Sequence, residues 1–161
     1  MIKVPAGVTT KLEGCTLTLK GPKGEVKYTF PKSVKLIVQA DSLDATGPIA
    51  MQNTSLAHMR NLVHGVTAGY SQKLKVIFAH FPMSLETKGT KFMIKNFIGE
   101  KQPRIANIIG NTKIEVKGQD LTISGCSKEH VGQTIANIRS ATKIRNRDSR
   151  VFQDGIYPVN E

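Results

Sequence analysis

The sequence predicts an α+β protein made of two tandem homologous small domains, each a mostly antiparallel β-sheet with one main α-helix packed on a face. Three observations lead there. Gly14-Cys-Thr-Leu-Thr-Leu-Lys-Gly-Pro-Lys-Gly-Glu25 returns as Gly89-Thr-Lys-Phe-Met-Ile-Lys-Asn-Phe-Ile-Gly-Glu100, with lysine, glycine and glutamate in register and apolar residues at alternate positions. The echo continues: Lys35 and Val38 answer Lys113 and Val116, and Leu56, Met59 and Arg60 answer Ile135, Ile138 and Arg139. The offset grows along the chain, as loop insertions in a duplicated unit would make it. Within each copy, period-two segments precede a segment of three-four apolar spacing, the order of a sheet covered by a helix. Two copies are too few and too long for a solenoid. The 161 residues divide at 1–75 and 76–161.

Taken in order, residues 16–20 put Leu17 and Leu19 on one side, and residues 25–30 do the same with Val26, Tyr28 and Phe30. That is the period of half-buried strands. Between them Gly21-Pro-Lys-Gly24 is a turn, proline fixing one φ and glycine allowing a positive one, so the two strands form a hairpin. The turn formally matches the Gly-x-x-Gly loop that clamps nucleotides in KH domains, but this one joins strands rather than helices. Residues 34–39 read as a third strand and 41–47 as a polar loop. A helix spans about 51–65, with Leu56, Met59, Val63 and Val66 on one face and Gly65 and Gly69 as its stop. Residues 73–81 form the strand that crosses into the second copy, where 91–98, 113–117 and 120–124 repeat the strand set. Ser127 is placed to cap a second helix, which ends near 141–143 with Val131, Ile135 and Ile138 inward.

The formal charge is +11, from 23 basic and 12 acidic residues, and predicts a polyanionic partner. The excess is +6 over residues 1–80 and +5 over 81–161. Apolar runs fall far short of a bilayer span, and the N-terminal residues lack the apolar centre of a signal peptide. A soluble, cytoplasmic protein is expected, with no membrane partner. Cys15 and Cys126 belong to no Cys-x-x-Cys pair and read as free thiols of a reducing compartment.

Catalytic chemistry finds little support. No dinucleotide fingerprint or Walker loop is present. His58, His64, His80 and His130 lack metal-ligand spacing, and the acids are thinly spread, so neither a metal nor another cofactor is expected. Glu25 and Glu100 sit at equivalent hairpin ends and read as turn or ion-pair residues. No nucleophile stands with a base.

What remains is the run from Arg139 to Arg150, which holds Arg139, Lys143, Arg145, Arg147 and Arg150 with a single acid in twelve residues. Its plain reading is a solvated helix end. Against that, Lys143, Arg145 and Arg147 share one side if the segment is extended. Arginine also dominates here while lysine dominates elsewhere, and its planar fork suits bidentate phosphate contact and stacking on bases. Lys95, Lys101 and Arg104 beside the second hairpin form a companion basic cluster.

Residues 65–82 (Gly-Val-Thr-Ala-Gly-Tyr-Ser-Gln-Lys-Leu-Lys-Val-Ile-Phe-Ala-His-Phe-Pro), Asn96-Phe-Ile-Gly-Glu-Lys101 and Asp154-Gly-Ile-Tyr157 closely resemble the large-subunit ribosomal protein family called "L-six" in bacteria and "L-nine" in eukaryotes. The match covers nearly the whole chain, and the Ala-His-Phe-Pro and Asp-Gly-Ile-Tyr segments resemble its archaeal and eukaryotic branch. The resemblance implies two α+β domains, no catalysis, and a place in the large ribosomal subunit. It implies binding to large-subunit ribosomal RNA, chiefly through the second domain, near the sarcin–ricin loop and the stalk base. Neighbouring large-subunit proteins and nearby translational GTPases follow as partners, with no DNA, and nucleolar passage during assembly if the source is eukaryotic. Carried to this chain, the RNA contacts fall on Lys143, Arg145, Arg147 and Arg150, with Lys95, Lys101 and Arg104 as companions. The near-neutral stretch 43–63 departs from relatives that are more charged there. The alternative is a free-standing RNA-binding or ribosome-assembly factor using the same module.

Overall fold

Alternation sets the first sheet. In the computed structural model, which describes residues 2–39, 42–78, 81–148 and 150–159, strands β2 (Thr9–Glu13), β3 (Thr16–Gly21) and β4 (Gly24–Thr29) pair antiparallel in that order. The turn closes with Gly21 opposite Gly24, as the Gly-Pro-Lys-Gly sequence requires. Leu17 and Leu19 are fully buried, and each contributes about 1.5–3 kcal/mol relative to exposure. A second sheet in this unit, of order β1-β6-β5, joins β1 (Ile2–Lys3), β6 (Ser42–Thr46) and β5 (Lys35–Val38). The helix α1 (Ile49–Thr67) packs on both sheets. It buries Met59, Leu62, Val63 and Val66 with Leu17, Leu19, Phe30, Leu43 and Ala45. Gly69 at φ 79° ends it: the amides of Ala68 and Gly69 both donate to the carbonyl of His64. Gly65 lies inside the helix, buried, and is not the stop.

The second unit repeats this plan. Strands β8 (Ser84–Lys88), β9 (Lys91–Lys95) and β10 (Arg104–Asn107) form a three-stranded antiparallel sheet with β9 central. Phe92 and Ile94 are fully buried, as are their counterparts Leu17 and Leu19. Gly14 and Gly89 open the equivalent turns with φ of 61° and 57°. The other sheet has order β11-β12-β7-β13, from β11 (Lys113–Lys117), β12 (Asp120–Gly125), β7 (Tyr70–Ile77) and β13 (Gly155–Pro158). Here β7 takes the place that β1 holds in the first copy, and β13 is an added edge strand. The helix α2 (Lys128–Ala141), starting directly after Ser127, buries Val131, Thr134 and Ile138. By division into compact bodies, the first unit is Met1–Tyr70 with Cys126–Lys128 and the second is Ser71–Gly125 with Glu129–Glu161.

The α+β class with mostly antiparallel sheets and one main helix per copy is as the sequence predicts, but each copy carries two small sheets. Several elements differ from expectation. The polar loop expected at 41–47 contains strand β6, whose alternate residues Leu43 and Ala45 are fully buried while Ser42, Asp44 and Thr46 face away; Asp41 lies outside the described residues. The strand expected over 91–98 stops at Lys95, because Asn96 at φ 58° turns the chain into a short 3-10 turn, Phe97–Gly99. The crossing strand starts earlier, at Tyr70, and ends at Ile77; Ala79 and His80 lie outside the described residues. Thr134 rather than Ile135 occupies the buried face of α2, Ile135 being half-buried.

Candidate nucleic-acid interface

The basic run leaves α2 at its C-terminal end, where the last carbonyls lack intrahelical partners and carry the negative end of the helix dipole. Three groups close that end. The amide and hydroxyl of buried Thr142 both donate to the carbonyl of Ile138, at 3.0 and 3.1 Å. The amide of Lys143 donates to the carbonyl of Ser140. Arg104, at the head of β10, donates through Nη1 to the carbonyls of Ala141 and Lys143, at 2.8 and 3.0 Å.

Beyond Lys143 the chain is not extended, contrary to the arrangement that would line up Lys143, Arg145 and Arg147. Asn146 adopts a left-handed φ of 60°, which breaks the extended alternation between Arg145 and Arg147. Asp148 then builds a turn: its carboxylate accepts from the amide of Arg150 at 2.9 Å, and its carbonyl accepts from those of Val151 and Phe152. The Arg147 guanidinium lies 4.8 Å from the Phe152 ring centroid, a cation–π contact that holds it against the loop. The run is therefore a folded loop with outward cations. It returns through Asp154 and Gly155 into β13, where a Cβ on Gly155 would stand 3.0 Å from the Tyr157 ring, so a larger residue there would push the ring aside.

The structure distributes the sequence-predicted cations unequally. Arg104, Lys143 and Arg145 line one depression of about 370 Å³ beside Ser140. Arg139 and Lys143 line an adjoining cleft of about 530 Å³ together with Phe152 and Tyr157. Arg145, Arg147 and Arg150 are exposed, and so is Lys101 on the connection between β9 and β10. Lys95 points instead to Glu86 on the neighbouring strand, in an ion pair whose hydrogen bond holds the Glu86 carboxyl below the ordinary glutamate value. Arg104 is the most engaged of all. Its Nε and Nη2 grip both oxygens of Glu100, at 2.8 and 2.6 Å, and its Cζ lies 4.3 Å from the centroid of buried Phe97. The hydrogen bonds from Arg104 lower the Glu100 pKa, and the charges of Arg104 and Arg147 act in the same direction.

Sequence reasoning placed Glu100 in ion-pair chemistry and found its partner's charge, but not the link from Arg104 to α2. Phe97 stood out only within the segment 96–101 that carries the family resemblance, and Phe152 carried no signal beyond apolar character. Among the described residues, no group of three or more His, Cys, Asp or Glu side chains is arranged to hold a metal ion, and no helix is long and apolar enough to cross a membrane.

A model of the family described as Ribosomal protein L6 matches residues 81–155, which include β8 to β12, α2 and the basic loop. The chain is 42% identical to the large ribosomal subunit protein uL6 of Methanobrevibacter smithii, over 99% of this chain and 94% of that protein. It is 43% identical to the uL6 protein of Methanosarcina mazei, over 99% and 95%, and 38% identical to that of Aeropyrum pernix, over 97% and 90%. The chain belongs to the ribosomal protein L6 family, in the branch that these archaeal proteins represent.

Proposed function

We propose that this protein is a structural constituent of the large ribosomal subunit, held on ribosomal RNA by the basic loop of its second copy, residues 76–161. It works there as a scaffold and not as a catalyst, in the cytoplasm as part of the ribosome. The observation that carries the reading is the folded loop itself. Lys143, Arg145 and Arg150 are exposed on a segment whose backbone is shaped by Asn146 and Asp148 and against which Arg147 lies on Phe152, so less backbone remains to be ordered when phosphates arrive. Contacts of this kind fix position on folded RNA without reading sequence. In the fuller reading, the loop sits near the sarcin–ricin loop and the stalk base, beside the docking place of translational GTPases and among neighbouring large-subunit proteins.

Two measurements test it. Expressed in an archaeal host, the tagged protein should sediment with large subunits through a high-salt wash. Release into the soluble fraction would favour the free-standing RNA-binding factor instead. In binding to deproteinised large-subunit rRNA, the triple variant R145A/R147A/R150A should bind more weakly and flatten the salt dependence by roughly two to three units of log–log slope, about 0.7–0.9 per lost phosphate contact. An unchanged slope removes the loop from the interface.

A further inference from the structure

We propose that Arg104 does not touch RNA but positions the basic loop, and that the acid Glu100 is therefore required for RNA binding; the inference rests on reading that loop as the RNA contact. A guanidinium carries five N–H donors. In Arg104 the Nε donor and one Nη2 donor serve Glu100, and Nη1 serves the carbonyls of Ala141 and Lys143. Phe97 covers one face of the group. What is left is a single N–H, whereas bidentate phosphate recognition needs two in parallel. Arg104 is thus a poor phosphate ligand in the middle of a basic surface.

Its bonds do something else. The carbonyls it holds belong to the last residue of α2 and to the residue two beyond, so they set the direction in which the chain carries Lys143, Arg145 and the turn at Asn146. Glu100 fixes the plane of the guanidinium by gripping its opposite edge, and Phe97 fixes its tilt. The three form one clamp between the β9–β10 connection and the exit of α2.

The duplication adds an independent argument. In the first copy, Glu25 lies in β4 directly after the four-residue turn and, among the described residues, its ion pair is with Lys27, at 3.5 Å, on the surface. In the second copy β9 ends at Lys95 and β10 begins at Arg104. The lengthened connection makes room for Phe97 in the core and places Glu100 four residues before Arg104. The clamp exists in the copy that carries the basic loop, and the other copy keeps the plain hairpin.

The signs of the test oppose each other. If Glu100 were simply an acid near the interface, Glu100→Gln would remove a repulsion and tighten binding. Under the clamp it weakens binding, because an amide accepts at one oxygen only and its NH2 meets the guanidinium edge. Binding of the full chain to deproteinised large-subunit rRNA of Methanosarcina mazei is measured across a salt series, well below the melting temperature of each variant. Expected are a weakening of about tenfold for E100Q and for R104A, with the slope changed alike in both, and a double variant no weaker than the worse single. In the E100Q background, Arg145→Ala should cost less than in the wild type, since an unplaced loop has less to lose; a residue that served only global stability would leave that cost the same. The proposal is overturned if E100Q binds as tightly as wild type or tighter, or if R104A lowers the slope by the 0.7–0.9 or so of a direct phosphate contact while E100Q leaves it unchanged. Should R104A fail to fold, E100Q alone decides. A wild type in which Arg145→Ala changes nothing overturns the RNA reading of the loop, a result separate from either outcome of the clamp.

Discussion

At the scale of single residues, the candidate interface depends on which donors are already in use. Lys95 and Arg104 look like free cations in the sequence, yet each faces a carboxylate, Glu86 and Glu100. Both acids have pKa values lowered, chiefly by hydrogen bonds from Lys95 and from Arg104 respectively. A carboxyl whose folded pKa lies below its unfolded value adds stability above the unfolded pKa and loses it as pH falls through the folded one. The contribution of these two pairs to the melting temperature should therefore be constant from neutral pH down to about 5 and fall below about 4.5, the ordinary glutamate value. The step is small, because side-chain exposures of 41% and 42% let solvent screen both pairs. Circular-dichroism melts of wild type and E100Q check it: E100Q should lose part of the acid-induced fall, and equal curves would mean that the Arg104 pair adds nothing to stability.

At the scale of elements, polar residues inside the packed faces do as much placing as apolar ones. Thr134 on α2 is fully buried, and its hydroxyl accepts from the backbone amide of Ile109 at 3.1 Å. One turn on, Asn137 donates to the carbonyl of Asn107 at 2.9 Å. These bonds tie α2 to the end of β10, the strand that Arg104 begins. Thr134→Val keeps the shape and orphans the Ile109 amide, so it should destabilise by about 1–3 kcal/mol in urea unfolding, while Thr134→Ser should cost less. No change on Thr134→Val would mean that the amide finds another partner. The same element shows what a sequence conceals. The spacing of Val131, Ile135 and Ile138 reads as the inner face, but a threonine holds the central place because it supplies a bond as well as volume. Strands β3, β4 and β9 were legible through alternating large apolar residues. Strand β6 was not: its inward residues are only Leu43 and Ala45, and Asp44 between them makes the segment read as a loop. Strand β13, four residues with glycine first and proline last, offers no periodicity to find. The arginine-rich run was legible as composition. Its folded form was not, since the bonds from Arg104 to Ala141 and Lys143 join residues that no local spacing relates.

At the scale of the whole molecule, duplication distributes charge almost evenly, +6 over residues 1–80 and +5 over 81–161. If net charge alone drew the protein to RNA, the two copies would contribute alike. The structures of the copies argue otherwise. In the first, exposed lysines such as Lys20, Lys27 and Lys35 are spread along strands of two different sheets, and α1 ends in neutral residues around Gly69. In the second, α2 runs into a loop whose Lys143 and Arg145 line a depression with Arg104, while Arg147 and Arg150 are exposed beside them in sequence. Counterions are released where phosphates are held at close range, not wherever the surface is positive. A matched pair of triple variants separates the two ideas, since each removes three positive charges. K20A/K27A/K35A should leave the salt slope of rRNA binding within about half a unit of wild type, while R145A/R147A/R150A lowers it by roughly two to three. Equal losses in the two variants would mean that bulk charge does the binding, and that the folded loop of the second copy has no privileged part in it.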